Sequence, residues 1–335
     1  MECGIIGLPN VGKSSLFYLL SNIKVIIKNY PFSTIKPNKT IINVYDDRLI
    51  KISKIFNFNI KQYNYIKLID IAGIIKNSYK GKGLGNMFLS YIRNTKILIN
   101  ILRLFYNNKI ININNIIDPI YERKIILNEL IMKDIEIIEK NIKIKKNNIN
   151  KLKLNKILKI FKNKNINDIK KICNDEKKII KQFNFLCLKP IFYICNIDKN
   201  TKNDEILFIK EYFNKNKENV LFLNIKYIIN NKNKSKKKIY KLINNIYYKL
   251  NYNTFFTIDN KKKIICSWKI KKNSYAYKAS ERIHSTFSKR IIKVEVIKSK
   301  KLINNKIINY KKYLSIKNKN YIVKDGDILF FKLNK

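Results

Sequence analysis

The opening stretch MECGIIGLPNVGKSSLFYLL constrains the fold more than any other part of the 335-residue chain. An apolar run leads into G-x-x-x-x-G-K-S, with Gly7, Gly12, Lys13 and Ser14 at the fixed places, and an apolar helical pattern follows. In that order of strand, glycine loop and helix, consecutive backbone N–H groups and a helix N-terminus wrap a phosphate. Asn10, Val11, Gly12, Lys13, Ser14 and Ser15 are the candidate cradle; Lys13 would reach the β- and γ-oxygens and the Ser14 hydroxyl would ligate Mg²⁺.

Glycine usage points the same way. Seven of the eight glycines fall in the first 85 residues, at 4, 7, 12, 73, 81, 83 and 85. Glycine is needed where the backbone takes positive φ or a ligand comes close, so these clusters mark candidate ligand contacts. The strand-like YIKLIDIAGII ends in Asp70-Ile71-Ala72-Gly73. A carboxylate at that strand tip can hold Mg²⁺ through water, and the Gly73 N–H can sense a γ-phosphate. Between the two motifs, NYPFSTIKPN offers Thr34 as a second hydroxyl for the metal, or merely a turn residue. KGKGLGNMF reads as a loop suited to an order–disorder switch, or a plain flexible turn. Lys13, Thr34 and Gly73 are the candidate catalytic residues.

Composition sets the limits. A formal charge of +48 points to a polyanionic partner such as RNA or a ribosome. Only six of the 71 basic residues are Arg and only three residues are Ala, while Lys, Asn and Ile dominate, as AT-rich coding drift produces. A solvated basic exterior is therefore the competing reading. Five Cys without a C-x-x-C pair, and a single His, exclude a zinc site of ordinary spacing. The absence of a basic leader and of any run of 18 apolar residues gives the expectation of a cytoplasmic chain without membrane contact.

Together, GLPNVGKSS, NYPFSTIKPN, DIAGIIKNSYKGKGLGNMFLSYIR, FLCLKPIFYICNID and YIVKDGDILFF resemble the YchF or Obg-like ATPase family of P-loop NTPases over nearly the whole chain. The resemblance implies an α/β fold: a doubly wound P-loop NTPase domain, an inserted α-helical hairpin and a C-terminal β-grasp (TGS) domain. The expected boundaries are 1–119 and 185–250 for the nucleotide domain, 120–184 for the hairpin and 251–335 for the TGS domain. Independent signals agree. Asp118-Pro119 is a good helix start, no Gly and no other Pro occurs before Pro190, and Leu127, Ile131, Ile135, Ile138 and Ile142 recur at helical spacing. Ile169, Ile172, Glu176, Ile179 and Phe183 continue the pattern, with KIKKNNINK among the turn regions between. After residue 250, TFFTI, KIICSWKI, IIKVEVI and YIVKDGDILFFKL read as strands, with Asp325-Gly326-Asp327 a tight turn. His284, in ERIHSTF, reads as a structural or binding-surface residue.

The resemblance also implies a function: a slow, Mg²⁺-dependent ATPase acting as a nucleotide switch on the ribosome or its RNA, monomeric, with K⁺ near Asn10 as a further cofactor candidate. Ile74 stands where many GTPases have a water-orienting Gln, and Asn112 where relatives often carry a His, which implies slow intrinsic hydrolysis. The base-reading place is Asn196-Ile197-Asp198-Lys199. Guanine selection needs a carboxylate at the fourth position, and Lys only donates, which argues against strong guanine selection without by itself establishing adenine; ATP over GTP is what the resemblance implies. Two alternatives stay open: a nucleotide-gated ribosome- or RNA-binding module with little hydrolysis, and a GTPase of the same class.

Overall fold

A computed structural model describes residues 2–21, 38–71, 90–107, 110, 117–144, 148–176, 182–305 and 310–334, with only the backbone at 148–150. Thr34, Gly73, Ile74, Asn112 and the glycines at 81, 83 and 85 lie outside the described residues. The chain forms two compact units, Met1–Ile41 with Lys67–Lys236, and Ile42–Ile66 with Lys237–Lys335.

The first unit is organised by a sheet of order β2-β4-β1-β5-β6-β7. Its strands are β1 (Glu2–Ile6), β2 (Asn38–Val44), β4 (Asn64–Asp70), β5 (Ile97–Leu104), β6 (Ile191–Ile197) and β7 (Val220–Leu223), with β3 (Asn59–Gln62) belonging elsewhere. From β4 across to β7 every pairing is parallel. All eight residues of β5 are buried, the signature of a strand covered on both faces. β1 lies between β4 and β5, so the carboxyl ends of these strands form the kind of switch-point crevice where open parallel sheets bind ligands.

The insert begins where the sequence suggests. Asp118 accepts hydrogen bonds from Ile120 N (2.8 Å) and Tyr121 N (3.0 Å), capping a helix over Pro119–Ile144. The return arm is two helices, Asn148–Lys162 and Ile166–Asp175, the second capped by Asn165. Leu154, Ile157 and Phe161 are fully buried in the first, a seam diluted in the sequence by lysine and asparagine. Phe183 packs against Phe185 outside any helix, because Asn165 and the turn after Asp175 interrupt the apolar spacing.

The second unit is a mixed sheet of order β11-β10-β12-β8-β9-β3, built from β8 (Tyr252–Asp259), β9 (Ile264–Lys271), β10 (Ile291–Lys298), β11 (Ser315–Asn318) and β12 (Asp327–Leu333). A β8–β9 hairpin, a helix over Ala276–Ile283, and a last strand parallel to β8 and antiparallel to β10 give a β-grasp arrangement. Phe255 and Phe256 point to opposite faces. The first packs with Ala276 and Ala279 of the 276–283 helix, the second with Leu49 and Ile52 of the helix Asp47–Phe56.

That second contact moves two boundaries. Ile42–Ile66 and Lys237–Leu250, which the expected partition assigns to the nucleotide domain, cluster with the C-terminal unit. The physical reason is burial: the apolar face of helix 47–56 covers one side of the β-grasp sheet and β3 extends its edge beside β9. Arg48 fixes the helix, donating to both Asp46 oxygens and to Asp325 (2.7 Å). At Gly326, φ is +82° and a Cβ would sit 2.6 Å from the Arg48 guanidinium, so glycine is required there.

Candidate nucleotide site

The loop from β1 into the helix Lys13–Ser21 has a backbone that few residues tolerate. Asn10 is left-handed (φ 63°), a conformation asparagine accepts better than most side chains. Gly12 has φ +105°, and a Cβ there would lie 2.6 Å from Asn196 Nδ2. A Cβ at Gly7 would lie 2.6 Å from the Ile101 carbonyl oxygen. The glycines are thus dictated by close approach as well as by dihedral angle.

Lys13 is 8% exposed, and its ammonium donates to the Leu8 carbonyl at 2.7 Å, a partner within its own loop. Burial pulls its pKa down to about 8, opposed by the charges of Asp70 and Glu122. Ser14 Oγ donates to Asp70 Oδ2 at 3.1 Å, so the hydroxyl after the loop and the carboxylate at the β4 tip meet. Burial raises the Asp70 pKa, and the Lys13 charge and the Ser14 hydrogen bond pull it back. A hydroxyl and a buried carboxylate are hard oxygen donors, and Ser14 and Asp70 could together hold Mg²⁺. Val11 and Ser15 lie in the same loop and first helical turn.

The second wall comes from β6. Asn196 Nδ2 donates to the Val11 carbonyl (3.1 Å), and the Ile225 N–H donates to Asn196 Oδ1 (3.4 Å), tying the glycine loop, the end of β6 and the β7 exit together. Ile197 is half-buried at the strand end. Asp198 is taken up by its own turn and by the segment after β5: Oδ1 accepts from Asn200 N (3.0 Å) and Thr201 Oγ1 (2.9 Å), and Oδ2 from Tyr106 N (3.1 Å). Burial alone would push its pKa up, but these hydrogen bonds prevail and hold it below the ordinary carboxylate range. Lys199 is exposed.

Sequence reasoning missed a buried pair behind the loop. Glu122, 3% exposed, accepts the Arg103 backbone N–H at 2.8 Å and lies in the field of Lys13. Its only sequence signal is a carboxylate in the first turn after Asp118-Pro119. The Arg103 guanidinium spreads over the carbonyls of Phe105, Asn107 and Ile110. Burial pushes Glu122 up to about 8, so it is largely protonated in the folded chain at neutral pH. Between its ordinary 4.5 and about 8 only the folded chain holds that proton. Stability from this group is therefore full below about pH 4.5 and falls by up to about 1.4 kcal/mol per pH unit until about pH 8. Glu122→Gln keeps the acceptor and removes the titration. Urea midpoints should shift in favour of the Glu122→Gln variant relative to the wild type as pH rises through this window; a constant difference would mean that Glu122 is ionised in the fold.

Family comparison agrees with this geometry. The model for 50S ribosome-binding GTPases matches residues 2–160, and a YchF C-terminal family model, described as a protein of unknown function, matches 252–334. A Mycoplasma genitalium protein named Ribosome-binding ATPase YchF is 36% identical, the match covering 100% of this chain and 99% of that one. The chain belongs to the YchF family. YchF proteins of the same name from Buchnera aphidicola (Acyrthosiphon pisum) and Bacillus subtilis are 34% and 30% identical, each over 99% or more of both chains. The solved structure of the Schizosaccharomyces pombe YchF GTPase superposes with a TM-score of 0.77 at 27% identity, covering 99% of this chain and 97% of that one. The fold is accordingly that of a YchF P-loop NTPase with its C-terminal domain. Among the described residues, no helix is long and apolar enough to cross a membrane and no cluster of three His, Cys, Asp or Glu side chains could hold a metal ion.

Proposed function

We propose that this YchF chain is a Mg²⁺-dependent triphosphatase that prefers ATP and docks on the ribosome according to its nucleotide state. The observation that carries the reading is the convergence of Lys13, Ser14 and Asp70 at the N-terminus of the helix that follows the glycine loop. The loop amides and helix N-terminus bind and orient the phosphates, and Lys13 exchanges its Leu8 carbonyl for phosphate oxygens. Mg²⁺, when bound, neutralises charge on the β- and γ-oxygens. Thr34 and Gly73 are assigned to γ-phosphate sensing on sequence grounds. Hydrophobic Ile74 cannot orient water, which supports slow intrinsic turnover.

ATP preference is supported by the base loop. Guanine offers N1–H and N2–H₂ donors that need a carboxylate, and both Asp198 oxygens already accept hydrogen bonds, Oδ1 from Asn200 and Thr201 of its own turn and Oδ2 from the Tyr106 N–H beyond β5. Lys199 adds only a donor. Names among the relatives divide between ATPase and GTPase, so this loop is the place to decide. Calorimetric titration should give tighter binding of ATP than of GTP, by a modest margin, and Lys199→Glu should widen the ratio. Equal or reversed affinities in the wild type would reject the preference; an unchanged ratio in Lys199→Glu would assign the reading to backbone groups.

The ribosome contact is supported by the relatives' names and the charge of +48, and we assign it to the β-grasp unit, of TGS type. In this reading the nucleotide domain takes residues 1–41, 67–119 and 185–236, the inserted hairpin 120–184, and the last domain 251–335 together with residues 42–66 and 237–250. The protein is taken to act as a cytoplasmic monomer, which cell fractionation and sedimentation velocity would contradict by finding membrane-bound material or a dimer. Equal rates in K⁺ and Na⁺ would remove the K⁺ contact assigned to Asn10.

A further inference from the structure

The second unit carries a cleft of about 850 Å³, a volume that admits a small metabolite. Its walls come from the first turns of helix 47–56, the short helix Ser299–Asn304 that follows β10, and the turn into β12, all within that one unit. Six cations line it against two carboxylates, a net of +4 among the described residues. Lysine is common throughout the chain, so what each ammonium already holds matters more than its presence. Lys298 is committed to Asp327 and to the Tyr321 hydroxyl, and Lys301 lies over the Tyr313 ring at 4.8 Å. Lys51, Lys300 and Lys324 are exposed, and among the described residues their ammoniums meet no carboxylate. Of the two lining carboxylates, Asp325 is already taken by Arg48 and by the Thr254 N–H.

The inner wall is more specific than the rim. The half-buried Arg48 spends three of its five side-chain N–H donors on Asp46 and Asp325, which leaves two. Ser299 is 3% exposed, and its hydroxyl makes no hydrogen bond among the described residues. A buried hydroxyl without an internal partner is an exception in folded proteins. Both groups flank Gly326, where a Cβ would lie 2.6 Å from Arg48 Nη1 and 2.7 Å from Ser299 Oγ. The bare glycine therefore leaves a seat between a guanidinium and a hydroxyl donor.

We propose that this cleft binds a small molecule carrying at least two phosphates. One phosphate sits over Gly326 between Arg48 and the Ser299 hydroxyl, and Lys51, Lys300 and Lys324 take the second as point charges. Two phosphates carry about −3 to −4 at neutral pH, which matches the +4 of the lining. Ile303 gives the uncharged part of the molecule an apolar surface, and the Asn304 and Asn305 amides beside it offer donors and acceptors. The phosphates of a nucleic-acid strand share this chemistry. A free metabolite is favoured because Ser299 is buried and Arg48 half-buried: a terminal phosphate reaches them, and a phosphate esterified on both sides within a continuous strand does not.

The test is calorimetric titration of inorganic tripolyphosphate into the full chain carrying Lys13→Ala, a background chosen to silence the nucleotide site, at physiological ionic strength. Saturable binding is expected. Adding Ser299→Ala should weaken it about tenfold, since a hydrogen bond to a charged group is lost with no change in net charge. Its thermal midpoint should stay the same because the hydroxyl holds nothing inside the protein. Adding Lys300→Ala with Lys324→Ala repeats the test at exposed positions and should weaken binding by about tenfold or more. Lys261→Ala, a loss of one exposed charge in the β8–β9 turn, should change it less than about twofold. No binding, equal affinity with and without the Ser299 hydroxyl, or a Lys261→Ala defect as large as that of the lysine pair overturns the proposal. So does a short single-stranded RNA without terminal phosphates that displaces tripolyphosphate and is itself weakened by Ser299→Ala, which would assign the cleft to a nucleic-acid strand.

Discussion

Lys13→Ala is expected to abolish measurable triphosphate turnover, with a loss of about 100-fold or more. Among the described residues of the loop, the ammonium is the one side-chain cation that is buried, and it donates to the Leu8 carbonyl. A triphosphate would replace that neutral acceptor with charged oxygens, and hydrogen bonds between charged partners are about twice as strong. Desolvation has already pulled the Lys13 pKa down to about 8, so a bound phosphate should raise it again. Binding then takes up a proton. Affinity for the triphosphate should be flat below about pH 8 and fall by up to about tenfold per pH unit above it, until the pKa of the bound state is reached. In Lys13→Ala the affinity should be weak and without this slope. A wild-type affinity independent of pH across that range would mean that Lys13 is already fully charged in the free loop.

Gly12→Ala should do nearly as much damage by a different route. Alanine at φ +105° costs about 1–2 kcal/mol in backbone strain alone. Its Cβ would also press on Asn196 Nδ2 at 2.6 Å, and Asn196 cannot yield without loosening its hydrogen bonds to Val11 and Ile225 at about 1 kcal/mol each. A total destabilisation of about 3 kcal/mol is expected in chemical denaturation, together with loss of nucleotide binding. Because Asn196 ends the strand proposed to face the base, one methyl group on the glycine loop should disturb both halves of the proposed site. Normal stability with normal ATP affinity would show that Asn196 is free to move.

What the sequence made legible was local. The glycine loop, the Asp70 strand tip and the Asn196 strand end are short patterns whose chemistry is written in adjacent residues, and the structure brings Lys13, Ser14, Asp70 and Asn196 together as those patterns suggest. The cap at Asp118 was equally readable. The illegible parts depend on partners distant in the chain. Leu49 and Ile52 mark an apolar helix face in the sequence, but nothing local says that Phe256 and Ile328 cover it. Glu122 and Arg103 meet because helix 119–144 lies on β5, a register no spacing reveals. Asp198 looks displaced by one place from a base reader in the sequence; its carboxylate is an anchor for the turn, visible only once Tyr106 is seen donating to it. The helical return arm was obscured by composition, since lysine and asparagine dilute the Leu154, Ile157 and Phe161 seam.

The most direct test is single-turnover release of phosphate from γ-labelled ATP, comparing the wild type with Lys13→Ala, with and without ribosomes. The expected result is slow release by the wild type, dependent on Mg²⁺, faster with ribosomes and absent from Lys13→Ala. Release that is equal in the two proteins, or no release from the wild type even with ribosomes present, would contradict a triphosphatase centred on Lys13, Ser14 and Asp70.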